Sequence, residues 1–165
     1  MAREVIPSGA ALGADVRGID FSLPLSADDK AFVQQAWNDH LVLRFQDQDL
    51  EDEDLIRMAD DFGGSQVAGS RQYYINAGYD TKSGRVSRLP GITIVSNLDK
   101  DGKPEKANSG TGSSELLWHT DNSYVDNPPK GSILYGIQVP INGGGDTSFV
   151  NQYETYDALS EAMKK

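Results

Sequence analysis

The sequence has no cysteine and only two histidines, His40 and His119. The first absence excludes disulfides and every thiolate metal site, so a bound metal would need imidazole and carboxylate ligands. A cysteine-free chain also fits a cytoplasmic protein. No apolar run approaches membrane-spanning length, and the opening "MAREVIPSGA" lacks a basic segment followed by an apolar one. Neither a membrane span nor a secretory signal is therefore expected. Cations are scarce: 15 Lys and Arg stand against 25 Asp and Glu, a formal net charge of −10. That balance disfavours nucleic acid or an anionic membrane as partner, because both need basic patches to neutralise phosphate. An anionic small molecule would have to meet local cations inside a pocket.

What is present amounts to one domain's worth of chain, 165 residues with 38% hydrophobic, enough to bury a core. "EVIPSGAALGADVRGIDF" (4–21) reads as two short strands joined by turns. In "LPLSADDKAFVQQAWNDH" (23–40), Ser26 can cap a helix and Asp28 and Asp29 suit its first turn, while Phe32, Val33, Ala36 and Trp37 recur at helical spacing. "LVLRF" (41–45) has the length of a buried strand. "EDEDLIRMADDFGG" (51–64) predicts a second helix with Leu55, Met58, Ala59 and Phe62 on its inner face and Gly63 and Gly64 as its stop. Its acidic start lacks the turn-forming glycine of a calcium loop and reads as a solvated helix terminus. Within the mixed stretch 63–90, Tyr73 and Tyr74 fit a strand. "GITIVSN" (91–97) is β-branched and strand-like, and a polar Gly/Ser-rich loop follows at 98–114, of a length usual for disordered segments or functional lids. Further strands are expected at 116–119, 132–139 and 146–150, then a helix starting near Tyr153 with Tyr156, Leu159 and Met163 on one face. No repeat and no second domain is evident.

The chemistry concentrates in "ELLWHTDNSY" (115–124). On a strand, side chains two apart share a face, so the imidazole of His119 and the carboxylate of Asp121 can converge on one point. A His-x-Asp pair with a distant histidine makes the facial triad of non-haem Fe(II) oxygenases, which leaves coordination positions open. Alone, the same pair also fits a surface histidine hydrogen-bonded to a nearby acid.

The stretch "WHTDNSYVDNPPKGSILYGIQVPINGGGDTSFVNQYETYDALS", together with "GADVRGIDFSLPLS", "HLVLRFQDQDL" and "ADDFGG" in the same order, resembles the TauD/TfdA family of Fe(II)- and 2-oxoglutarate-dependent dioxygenases. The resemblance runs over nearly the whole chain, with 65–90 the main gap. It implies a mainly β fold with flanking helices, a jelly-roll-like double-stranded β-helix that would be incomplete in this chain. It also implies that His119 and Asp121 are iron ligands and that Thr147 hydrogen-bonds the distal carboxylate of 2-oxoglutarate beside the turn of Gly143 to Gly145. A carboxylate at 121 points to hydroxylation and not halogenation. Trp118 is expected to pack in the core behind the ligand strand.

The implied reaction hydroxylates a small organic acid with Fe(II), 2-oxoglutarate and O2, releasing succinate and CO2. The taurine branch carries a histidine just after the "FG" that ends the second helix; here the region reads "FGGSQVAGSRQYY", which argues against taurine. Arg71, Asn97 and Asn122 are the candidate substrate contacts, with Arg71 the one cation, although it also fits a plain loop arginine. The family's third ligand, a histidine, and its 2-oxoglutarate-binding arginine have no counterpart in these 165 residues, since His40 falls at a helix-to-strand junction that suits packing or capping. The expectation is the N-terminal portion of one catalytic domain, weak or inactive by itself, with open sheet edges that favour self-association. Two rival readings are an oxidative desaturase or cyclase in the manner of clavaminate synthase, and a non-catalytic jelly-roll binding module.

Overall fold

A computed structural model describes residues 2–67, 69, 71–82, 86–96, 103, 118–123, 125–139, 141, 143 and 146–164. The chain divides into two compact units, the first Met1–Asp54 with Asn142–Lys165 and the second Leu55–Ile141.

The first unit is built on a three-stranded sheet in the order β1-β2-β3. Strands β1 (Glu4–Pro7) and β2 (Ala14–Arg17) form an antiparallel hairpin in which Val5 faces Val16. Strand β3 (Leu43–Phe45) lies parallel to β2, with Phe45 facing Val16. Parallel neighbours need a crossover, and helix α1 (Ala27–His40) supplies it. Ser26 caps α1 by accepting the Asp29 N–H at 3.1 Å, and Asp28 and Asp29 sit at the positive end of the helix dipole. The helix ends because Leu41 turns to φ 66° while its N–H still reaches the Trp37 carbonyl at 2.8 Å.

Alternation along the strands decides which face is covered. Ala14 and Val16 point inward and are buried with Ile19, Phe21, Val33 and Ala36. The rings of Phe21 and Phe45 meet edge to face at 4.8 Å. Full burial of such apolar side chains is worth about 1.5–3 kcal/mol each. On the opposite face Arg44 grips Asp15 with two bonds, Nε to Oδ1 at 2.6 Å and Nη2 to Oδ2 at 2.8 Å. Gln48 closes the unit: its Oε1 accepts the Phe21 N–H at 3.0 Å and its Nε2 donates to the Ile19 carbonyl at 3.0 Å. Gly18 must lack a side chain, since it holds φ 76° and a Cβ there would run into the Ala2 carbonyl.

Helix α2 (Asp52–Asp61) forms as the amphipathic pattern predicts, but Leu55, Met58, Ala59 and Phe62 are half-buried and the helix has no buried residue. It stops where the Gly64 N–H bonds to the Ala59 carbonyl at 2.9 Å, with Gly63 and Gly64 at φ 143° and 94°.

Several expected strands take other forms. Tyr73 and Tyr74 lie in helix α3 (Arg71–Asn76), where side chains four apart pair instead, as in the Gln72–Asn76 bond of 2.8 Å. The segment 91–97 contributes only an isolated bridge, Val86 to Thr93, and Asn97 lies outside the described residues. Segments 132–139 and 146–150 form no ladder among the described residues, with a bend at 137–138, and Leu134, Ile137, Val139 and Phe149 are exposed. β-Propensity becomes a strand only where a partner backbone takes up the N–H and C=O groups. The strand expected at 116–119 and the loop at 98–114 lie mostly outside the described residues. The last helix, α4 (Gln152–Asp157), is shorter than the sequence suggests, since its C-cap Ala158 is followed by turns at 159–163. Among the described residues, no helix is long and apolar enough to cross a membrane.

Candidate metal centre

The pair at the centre of the sequence argument converges. His119 Nε2 stands 3.3 Å from Asp121 Oδ1, both side chains largely exposed at 57% and 73%. No helix or strand is assigned at 118–120, and a turn begins at Asp121. Asn122 takes φ 54°, a left-handed conformation that Asn adopts more readily than most residues, and its carbonyl accepts the Val125 N–H at 3.2 Å.

The donor set suits a divalent transition metal, being one imidazole nitrogen and one carboxylate oxygen. Two such ligands, each about 2.1 Å from one metal ion and near a right angle, would stand about 3 Å apart. The observed 3.3 Å is compatible with that spacing. Among the described residues no group of three His, Asp or Glu is placed to hold a metal. His40 ends α1, where its backbone carbonyl accepts the Gly13 N–H at 2.8 Å and the Val42 N–H at 2.7 Å, a junction role as its position in the sequence suggests.

The remaining candidates are placed as follows. Asn122 is half-buried beside the pair, and its Oδ1 would lie 3.9 Å from a Cβ built at Gly69, so Gly69 borders it. Nothing in the polar sequence around Gly69 signals this neighbour. Arg71 opens α3, is half-buried, and donates from Nη1 to the Ser87 carbonyl, so it is not the free loop arginine that its sequence context allowed. One N–H is thereby committed, out of the five a guanidinium carries. Thr147 belongs to the first unit and is exposed on the 146–150 segment, which forms no ladder among the described residues. Gly143 holds φ 79°, as a tight turn requires, while Gly144, Gly145 and Asn97 lie outside the described residues. Trp118 does not pack in a core: it is 69% exposed.

Comparison with known proteins bears on what this arrangement serves. The family model described as "Taurine catabolism dioxygenase TauD, TfdA family" matches residues 4–165. The chain is 30% identical over 160 residues to pentalenolactone F synthase of Streptomyces avermitilis, covering 95% of this chain and 47% of that protein. It is 32% identical over 155 residues to an alkylsulfatase of Acinetobacter baylyi, covering 93% and 41%. It is 28% identical over 170 residues to the (S)-phenoxypropionate/alpha-ketoglutarate-dioxygenase of Delftia acidovorans, covering 98% and 50%. The chain thus spans about half the length of the curated relatives it matches.

Proposed function

Because the chain belongs to the taurine catabolism dioxygenase TauD, TfdA family, we propose that it carries two of the iron ligands of an Fe(II)- and 2-oxoglutarate-dependent dioxygenase that hydroxylates a small organic acid. The observation that carries this reading is the approach of His119 Nε2 to Asp121 Oδ1 at 3.3 Å. When bound, Fe(II) with 2-oxoglutarate supplies O2 activation, giving succinate, CO2 and a hydroxylated substrate. The chain's own residues bind and orient. His119 donates its Nε2 lone pair and Asp121 its carboxylate, and the Asn122 turn fixes the angle between them. The Thr147 hydroxyl donates a hydrogen bond to the distal carboxylate of 2-oxoglutarate. Asn122, Asn97 and Arg71 face the substrate, where the guanidinium of Arg71, steadied by the Ser87 carbonyl, meets its negative charge. The frame proposed for these residues is the family's double-stranded β-helix.

An anionic substrate is supported by two of the relatives' names, one for a phenoxypropionate and one for an alkyl sulfate. The name pentalenolactone F synthase supports a biosynthetic oxidation as the second reading.

These 165 residues hold two histidines, and His40 stands at the end of α1, outside the metal pair. A pair of protein ligands without a third histidine, and with no arginine assigned to 2-oxoglutarate, makes a weak centre. The chain alone is therefore expected to turn over slowly or not at all. Incubation with Fe(II), 2-oxoglutarate and O2 tests this: 2-oxoglutarate is expected to bind weakly, with no succinate released above the background of free iron. Succinate release that disappears in His119→Ala would refute the weakness while upholding the ligand assignment.

A further inference from the structure

The segment that carries Thr147 makes no ladder among the described residues, so its position depends on what holds its ends. At its downstream end stands Asn151, which bonds in two directions. Its Oδ1 accepts the N–H groups of Tyr153 at 3.0 Å and Glu154 at 3.4 Å, capping α4. Its Nδ2 donates to the Ala11 carbonyl at 2.8 Å, a contact across 140 residues of sequence, and lies 3.3 Å from Glu154 Oε1. The Asn151 carbonyl accepts both the N–H and the hydroxyl of Thr155 at 3.0 Å.

The far end of this tether is itself fixed. In the turn between β1 and β2, the Ser8 N–H reaches the Gly13 carbonyl at 2.9 Å. The Ser8 hydroxyl donates to the Leu12 carbonyl at 2.6 Å and accepts the Ala10 N–H at 3.1 Å. Gly13 in turn bonds to the His40 carbonyl at 2.8 Å. Helix α4 has six residues, too few to persist without its cap. An Asn side chain offers an acceptor and two donors on one short stem, whereas Asp lacks the donor and Ser lacks the reach.

We propose that Asn151 is a positioning residue for Thr147: by tying the α4 cap to the β1–β2 turn, it holds the 146–150 segment where the threonine hydroxyl can meet a dicarboxylate co-substrate. This rests on the assignment of Thr147 to 2-oxoglutarate. A segment that has lost its tether is competent for only part of the time, and apparent affinity falls by that fraction.

The test is an NMR titration of the whole 165-residue chain with 2-oxoglutarate. One equivalent of Zn(II) serves as the diamagnetic metal, and the Thr147 methyl resonance reports binding. Asn151→Ser keeps a capping oxygen and loses the reach to Ala11. It is expected to leave the Glu154 and Thr155 amide shifts and the melting temperature near wild type, while the 2-oxoglutarate Kd rises about fivefold. Asn151→Asp, which also keeps the cap, is expected to weaken binding to the same extent. An unchanged Kd in both variants overturns the proposal. Thr147→Val separates the premise: if it binds 2-oxoglutarate as wild type does, or if the wild-type Thr147 methyl does not respond, the threonine assignment falls and the positioning role with it.

Discussion

Replacing Gln48 by Ala should destabilise the first unit. The Gln48 amide satisfies the Phe21 N–H and the Ile19 carbonyl, both at 3.0 Å and part-buried, and it also donates to the Gln46 carbonyl at 3.2 Å. Ile19 and Phe21 are themselves core residues, 6% and 3% exposed, so water cannot easily take over both main-chain groups. Each lost bond costs about 1 kcal/mol, and a group left unpaired in the interior costs somewhat more, which gives about 2–3 kcal/mol in all. In urea that loss corresponds to a midpoint lower by about 1 M. The half-buried Trp37 can report the transition by fluorescence, with the exposed Trp118 replaced by Phe to silence it. Gln48→Glu is the control: it keeps an acceptor for Phe21 but sets a carboxylate against the Ile19 carbonyl, and it should cost at least as much. A loss below about 0.5 kcal/mol in Gln48→Ala would show that the amide is not the staple described here.

Three further outcomes follow from the same structure. Gly18→Ala should lose about 2 kcal/mol in the same urea assay, since it combines a left-handed φ of 76° with a clash against the Ala2 carbonyl. Ser26→Ala should lose about 1 kcal/mol with the α1 cap, seen as faster amide exchange at Asp29 and Lys30. Acid should weaken the first unit. Asp15 is held below its ordinary pKa of 3.8 by its hydrogen bond to Arg44, Asp20 by Ser22, and Asp29 by its bond to Ser26 ahead of Arg3. Lowered carboxyl pKa values stabilise the fold above pH 3.8, and that contribution disappears as pH falls below it, so urea midpoints should drop in that window and not above it.

The elements legible in the sequence are those whose causes are local. Ser26, Asp28 and Asp29 announce the start of α1, and Gly63 and Gly64 announce the end of α2. The hairpin of β1 and β2 likewise sits between turn residues. A spacing of two on a strand is a local rule that suggested an approach of His119 and Asp121, but at 118–121 no strand is assigned and Asp121 opens a turn. The turn at Asn122 was not legible, since its φ of 54° shows only in the folded backbone. Segments such as 91–96 and 132–139 carry the β-branched residues of strands, yet pairing depends on a distant partner that propensity does not encode. Tyr73 and Tyr74 were misread because aromatic residues favour strands on average; here they fit a short helix in which their rings meet edge to face at 5.5 Å. The Asn151–Ala11 contact spans 140 residues and could not have been read from either end alone.

The central claim is that His119 and Asp121 hold one metal ion together. Titrating the chain with Mn(II) and following free Mn(II) by electron paramagnetic resonance tests it directly. Wild type should take up one ion per chain above the background set by its acidic surface. That site should weaken at least tenfold in both His119→Ala and Asp121→Asn and stay unchanged in His40→Ala. Equal uptake by wild type and His119→Ala would contradict the account.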